Sequence, residues 1–143
     1  MPRQPEWLLM VDGAARGNPG KAGCGAAILD ENGVTVKELS WYLGRSTNNV
    51  AEYEALLMGL EAVLALGHRN IRVQSDSELM VRQLNGTYRV RDPKLQLLHN
   101  RARALLNQFD RYTIVHVRRE ANQLADRLAN RGIDEACTRT HPG

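Results

Sequence analysis

Four acids, Asp12, Glu52, Asp76 and Asp126, stand where a carboxylate is either awkward or purposeful. Asp12 follows five apolar residues and Asp76 follows Ile71-Arg72-Val73-Gln74, so each is carried on a strand whose neighbours belong in a core. A carboxylate in that setting needs a partner. Brought together, like charges repel and raise one another's pKa. A divalent cation removes the conflict, and oxygen donors of this kind suit Mg²⁺ or Mn²⁺, whereas zinc calls for His or Cys, which the set lacks. Each acid also has an ordinary explanation on its own. Asp12-Gly13 can be a turn, Glu52 a solvent-facing or dipole-favoured first-turn acid, Asp76 an N-cap and Asp126 a surface helix residue. The elements that carry them decide between these readings.

Residues 7–11 form an apolar run without helical period and read as a buried strand. Residues 14–25, with glycines at 17, 20, 23 and 25 and a proline at 19, read as a long turn. Strand-like runs at 25–29 and 34–43 are joined by Asp30-Glu31-Asn32-Gly33, a hairpin signal. From Asn49 the period changes: Tyr53, Leu56, Leu57, Leu60, Val63 and Leu64 repeat on one helical face up to Gly67. Residues 71–74 are a fourth strand. Ser75-Asp76-Ser77 caps a second helix through Leu84, closed by Asn85-Gly86. Residues 93–109 read as a third helix with Pro93 in its first turn, and 112–117 as a fifth strand. A last helix starts near Glu120 with Ala121, Leu124, Ala125 and Leu128 facing inward.

The expected fold is α/β, a mixed five-stranded sheet in the order βββαβααβα flanked by helices, in one domain with a core of about 6–134 and a flexible tail over 135–143, frayed from 138 onward. Crossover connections make the strands after the first helix parallel to the first strand. In such segments strand C-termini and helix N-termini meet at one edge, where ligands bind, and Asp12 and Asp76 are candidate neighbours there.

The chain has 143 residues, 43% hydrophobic and 24% charged, which suits one domain with a real core and excludes a disordered or fibrous chain. No apolar run approaches the roughly 18 residues of a membrane span, and no secretory signal is visible. The two cysteines, Cys24 and Cys137, lie far apart and are expected as free thiols in a reducing cytoplasm. Net charge is +3, unevenly spread: residues 1–76 carry 7 Lys and Arg against 9 Asp and Glu, residues 77–143 carry 12 against 7. Sixteen of the 19 basic residues are Arg, whose planar fork suits phosphate, so a polyanionic partner fits, as does a solvated basic face.

At this point the chain resembles type 1 ribonuclease H, from Leu8 to Gly132, in four ordered blocks. These are Val11-Asp12-Gly13-Ala14-Ala15-Arg16-Gly17-Asn18-Pro19-Gly20, Thr47-Asn48-Asn49-Val50-Ala51-Glu52, Val73-Gln74-Ser75-Asp76-Ser77 and Ala121-Asn122-Gln123-Leu124-Ala125-Asp126-Arg127-Leu128-Ala129. The resemblance implies that Asp12, Glu52, Asp76 and Asp126 bind two ions, Mg²⁺ or Mn²⁺, about 4 Å apart across an in-line displacement. It implies endonucleolytic cleavage of the RNA strand of an RNA·DNA hybrid, leaving 5′-phosphate and 3′-hydroxyl ends. RNA duplex is a further candidate substrate. No membrane and no obligate protein partner are implied, and a monomer is expected.

The same resemblance implies that Gly13, Asn18, Asn48 and Asn49 line the minor groove of the hybrid, where 2′-hydroxyls mark RNA. It implies that Thr47 meets a phosphate of the DNA strand, while helix capping by Thr47-Asn48-Asn49 is compatible with that role. Ser77 beside Asp76 joins the expected contacts. Two departures stand out. Many members carry a long basic protrusion between the second and third helices, but here the connection is 86–92, so Arg89, Arg91 and Lys94 are expected to supply affinity. A mobile histidine before the last acid is also missing from Arg118-Arg119-Glu120-Ala121-Asn122-Gln123. Arg118 or Arg119 can stand in for it or form a solvated face, and His116 is expected as a packed or edge strand residue. Both departures resemble the compact archaeal and bacterial subgroup.

Three rivals remain at this level. One is a hybrid-binding module without catalysis, against which the presence of all four acids argues. Another is a resolvase or transposase core on the same fold, which the Thr47-Asn48-Asn49 block disfavours. The last is a ribonuclease H domain within a larger polypeptide. The glycines do not form G-x-G-x-x-G before a helix, which disfavours a dinucleotide site.

Overall fold

A computed structural model describes residues 4–140, with side chains through residue 136. The chain runs β1 (Trp7–Gly17), β2 (Gly20–Leu29), β3 (Thr35–Ser46), α1 (Asn48–Ala65), β4 (Asn70–Ser75), α2 (Glu78–Leu84), α3 (Pro93–Leu106), β5 (Arg111–His116), a 3₁₀ turn (Arg119–Asn122) and α4 (Gln123–Thr140). The five strands form one sheet in the order β3-β2-β1-β4-β5. β1, β2 and β3 pair antiparallel, while β4 pairs parallel with both β1 and β5. The expected βββαβααβα order and mixed sheet are present.

Strand alternation divides the core. Leu9 and Val11 of β1 join Ala26 and Ile28 of β2 under Leu56 and Leu60 of α1. Met10 and Ala27, on the opposite face, pack against Ala125 and Leu128 of α4. Helices therefore cover both faces of the β1–β2 pair. α1 is buried on several sides because α3 packs against it as well as the sheet.

The largest departure from expectation lies at 14–25, where a long turn is replaced by two strands joined only through Asn18 and Pro19, with Gly17 paired to Gly20. Glycine here does not signal a bend, except at Gly17, whose φ of 99° is costly for other residues. It signals close approach. A Cβ on Gly13 would lie 2.3 Å from the backbone of Ala51 in α1, and one on Gly25 would lie 2.3 Å from the carbonyl oxygen of Ala125 in α4. The missing side chains let both helices press their backbones onto the sheet.

Smaller differences follow local chemistry. The β2–β3 hairpin turns as expected, with the Asp30 carboxylate accepting from the amides of Asn32 (2.9 Å) and Val34 (3.0 Å) and Gly33 at φ 78°. α3 begins at Pro93 under an Asp92 cap but ends at Leu106, not 109. α4 continues to Thr140, taking in residues 135–140 that were expected as tail; residues 141–143 and the Cys137 side chain lie outside the described residues. Among the described residues no helix is long and apolar enough to cross a membrane.

Replacing Gly25 with Ala should lower stability by about 1–3 kcal/mol, the usual cost of overpacking. Urea denaturation measures it, and an unchanged midpoint would show that α4 can lift from the sheet at no cost.

Candidate active site

Asp12 sits in the middle of β1, opposite Gly25, rather than at the strand's end. The parallel register pairs Val11 with Ser75, which sets Asp76, the next residue after β4, beside it. Glu52 descends from the second turn of α1, a helix started by Thr47, whose hydroxyl accepts from the Val50 amide at 3.3 Å. Asp126 lies in the first turn of α4. One carboxylate oxygen from each of Asp12, Glu52 and Asp76 lies within 4.8 Å of the others. Asp126 stands outside that trio but lines the same cavity of about 610 Å³.

The ordinary explanations fail one by one. Asp12 is inside a ladder, not a turn. Glu52 is neither in the first turn nor solvent-facing, being 8% exposed. The N-cap of α2 is Ser77, whose hydroxyl accepts from the Met80 amide at 3.3 Å, so capping does not account for Asp76. Asp126 is half-buried.

Burial is the largest force on the ionisation of Asp12, and the charges of Glu52, Asp76 and Asp126 add to it, so its pKa is raised well above the carboxylate range. Glu52 is raised for the same leading reason, with Asp76 as the main charged neighbour, although hydrogen bonds from Asp12 and the Gly13 amide pull the other way. Glu52 Oε2 is buried without a hydrogen-bond partner. An orphaned buried oxygen in an all-carboxylate trio of mutually repelling acids is a donor set that fits a hard divalent cation.

The acidic cavity also brings together Gly13, Asn48, Asn49, Ser77, Arg118 and Arg119 from the expected set. Arg119 Nε approaches Asp76 Oδ2 at 4.0 Å, with the guanidinium largely in solvent. Asn18, Thr47 and Lys94 line a second cavity of about 510 Å³ instead, and Asn49 reaches both. Asn18 joins the two by accepting from the Asn48 amide at 3.2 Å. Arg89 lines a third cavity between α2 and α3, and Arg91 is exposed outside these three.

Several residues that sequence reasoning passed over belong to these sites. Arg45 lines the second cavity beside Thr47. His116 takes the edge rather than the packed position expected of it: it is exposed at the end of the edge strand β5 and lines the acidic cavity, because its register partner is Ser75, the residue before Asp76. Arg16 and Asn130 line it too. Asn130 had a readable signal, four residues after Asp126 on one helix.

A family model described as reverse transcriptase-like matches residues 10–132. Ribonuclease HI of Halobacterium salinarum is 45% identical over 125 residues, covering 87% of this chain and 63% of that protein. Ribonuclease H of Pseudomonas fluorescens is 31% identical over 141 residues, covering 89% of this chain and 90% of that protein. The chain belongs to the type 1 ribonuclease H family. A solved family structure, LC11-RNase H1 in complex with an RNA/DNA hybrid, superposes with a TM-score of 0.87 at 42% identity, over 92% of this chain and 99% of that one. The chain spans 63% of the length of the halobacterial relative and 36% of a bifunctional protein of Mycobacterium tuberculosis that is 43% identical.

Within the family frame the connection between α2 and α3 is short, residues 85–92, and the turn before α4 presents arginines, with His116 on the neighbouring strand. Asp12→Asn removes an acid whose pKa is raised on folding. Such a group stabilises the fold in acid and withdraws that stability as pH climbs from its unfolded value toward its folded one. Metal-free Asp12→Asn should therefore match the native protein in thermal midpoint near pH 4 and exceed it increasingly toward pH 8. A variant less stable than native at pH 8 would contradict the repulsion.

Proposed function

We propose that this protein hydrolyses the RNA strand of RNA·DNA hybrids endonucleolytically, using Asp12, Glu52, Asp76 and Asp126 to hold two divalent ions, Mg²⁺ or Mn²⁺. The observation that carries the reading is the convergence of the four acids on one cavity, three of them within 4.8 Å, in a chain of this family. A relative of similar size and 42% identity solved with an RNA/DNA hybrid supports the substrate.

Held by these four acids, the ions would supply Lewis acidity to the scissile phosphate and would lower the pKa of water. Asp12 and Glu52, buried and mutually repelling, are held by the fold in the arrangement that cations stabilise, so little reorganisation accompanies loading. The water oxygen bonds to phosphorus as the bond to the 3′-oxygen breaks, and that oxygen takes a proton, giving 5′-phosphate and 3′-hydroxyl ends. His116 borders the cavity as a proton donor for the leaving 3′-oxygen, and Arg118 and Arg119 offer positive charge to the departing strand.

Strand choice follows from the neighbouring amides. Asn48 and Asn49 sit on the rim of the acidic cavity, and Asn18 supports Asn48, so short groups that donate and accept face the place where 2′-hydroxyls of the cleaved strand pass. Gly13 serves by bringing the α1 backbone close. Thr47, Arg45 and Lys94 around the second cavity suit a phosphate of the DNA strand, with the α1 N-terminus alongside. Ser77, Arg89 and Arg91 extend the contacts. The same reading has the protein act as a monomer in the cytoplasm.

End-labelled RNA·DNA hybrid, RNA duplex and DNA duplex incubated with Mg²⁺, Mn²⁺ or EDTA test the reading together. Hybrid should be cut inside the RNA strand in either metal and not in EDTA. Binding without cutting would leave a hybrid-binding module, and equal cutting of DNA duplex would remove the groove-reading role of the asparagines. Arg45→Ala with Lys94→Ala should flatten the dependence of log affinity on log salt by about 0.9 for each phosphate the variant no longer neutralises. An unchanged slope would place the DNA strand elsewhere.

A further inference from the structure

Asp126 is the acid with the least support from the sheet. It stands outside the trio of Asp12, Glu52 and Asp76, on a helix that reaches the site from the other face. A chain of polar interactions accounts for its placement. Asn130, one turn later on α4, donates from Nδ2 to the Asp126 carbonyl at 3.1 Å and to Asp126 Oδ1 at 3.4 Å. Its own Oδ1 accepts from Arg16 Nη2 at 3.3 Å. Arg16 Nη2 in turn pairs with Asp134 Oδ1 at 2.7 Å, one turn further along the helix.

The amide is thus oriented at both ends: its acceptor meets a cation and its donor meets an anion. That polarity excludes the flipped amide, which would turn oxygen toward the Asp126 carboxylate and nitrogen toward the guanidinium. Arg16 lies four residues after Asp12 on β1, so its side chain falls on the same pleat face as that of Asp12. The strand that carries the central acid therefore also braces the helix that carries the fourth one. The contact to Oδ1 adds to the hydrogen bond between the Asp126 and Asp12 carboxyls and holds the first turn of α4 against the sheet.

We infer that Asn130 is a positioning residue for Asp126, oriented by Arg16 and Asp134, and that this relay sets the affinity of the ion Asp126 helps to hold. The inference rests on the metal-dependent reading above. Partners behind a metal ligand commonly change metal affinity or activity by about 10- to 100-fold when removed.

The test is Mn²⁺ binding by calorimetry to the free native protein and to Asn130→Ala, Arg16→Ala, the double variant and Asp126→Asn, alongside the Mn²⁺ dependence of hybrid cleavage. Asn130→Ala should weaken Mn²⁺ binding in the direction of Asp126→Asn and raise the half-saturating Mn²⁺ for cleavage about tenfold. Saturating Mn²⁺ should restore turnover, and KM for hybrid should stay at the native value. Arg16→Ala should give a smaller shift of the same kind, and the double variant should be no worse than Asn130→Ala, because Arg16 acts through it. Thermal midpoints check that the variants fold; if Asn130→Ala does not, Arg16→Ala and its rescue by Mn²⁺ decide the question. A native isotherm for Asn130→Ala beside an altered one for Asp126→Asn overturns the relay alone. Raised KM without a change in Mn²⁺ binding makes Asn130 a substrate contact and overturns it as well. A native isotherm for Asp126→Asn itself overturns the ion-binding role of Asp126, and the relay with it.

Discussion

Three carboxylates within 4.8 Å of one another, two of them almost fully buried, form a charge cluster that the rest of the fold must hold against its own repulsion. Neighbouring acids in low dielectric cannot all ionise without a large electrostatic cost. Burial first, and the neighbouring charges after it, drive Asp12 and Glu52 up in pKa, so without cations the cluster is relieved by keeping protons. The surrounding structure supplies the restraint. Asp12 is fixed by its ladder pairing with Gly25 of β2, Glu52 by a helix pressed against the sheet, and Asp76 by the parallel register of β4 with β1.

That restraint depends on an absence of side chains. Gly13 permits the close approach of α1, and Gly23 and Gly25 permit that of α4, where an added Cβ would fall 2.3–2.4 Å from a backbone oxygen. These close approaches bring Glu52 and Asp126 from opposite faces to the strand that carries Asp12. Cys24, between the last two glycines, points the other way, its Sγ 3.5 Å from the Ala51 carbonyl, and burial pushes its thiol pKa up, so it behaves as a small packing residue. Packing and chemistry therefore share one stretch of sequence.

This explains which parts of the molecule were legible in advance. The strand and helix order followed from apolar periodicity, from Asn32-Gly33 and from the caps at Thr47 and Ser77. The four acids were legible because each interrupts an apolar pattern or sits at a fixed place in it. The extent of β1 and β2 was not, since glycine marks both a bend and a close contact, and distinguishing them requires knowing where α1 and α4 lie. His116, Arg16, Arg45 and Asn130 were missed for a related reason. Their relevance comes from distances between elements far apart in the chain, such as the Ser75–His116 register and the reach of Arg16 to α4.

The four acids also tie the layers of the protein together. Asp12 lies on β1 and Asp76 directly after the adjacent parallel strand β4, Glu52 on the helix over one face and Asp126 on the helix over the other. Whatever binds all four closes the sandwich at its C-terminal edge, and its binding free energy adds to the stability of the native state by mass action. The converse also holds. Motion of α4 relative to the sheet changes the distance between Asp126 and the other three, so the helix on the second face governs how the site completes itself. Under the function proposed above, the short α2–α3 connection leaves the rims of the cavities themselves to grip a hybrid. The residues proposed to grip it, Asn48, Asn49 and the N-cap Thr47, start the same helix that carries Glu52. On that proposal, substrate bound at the helix N-terminus would act on the acid cluster through one turn of helix, linking recognition of the strand to the geometry of the four acids.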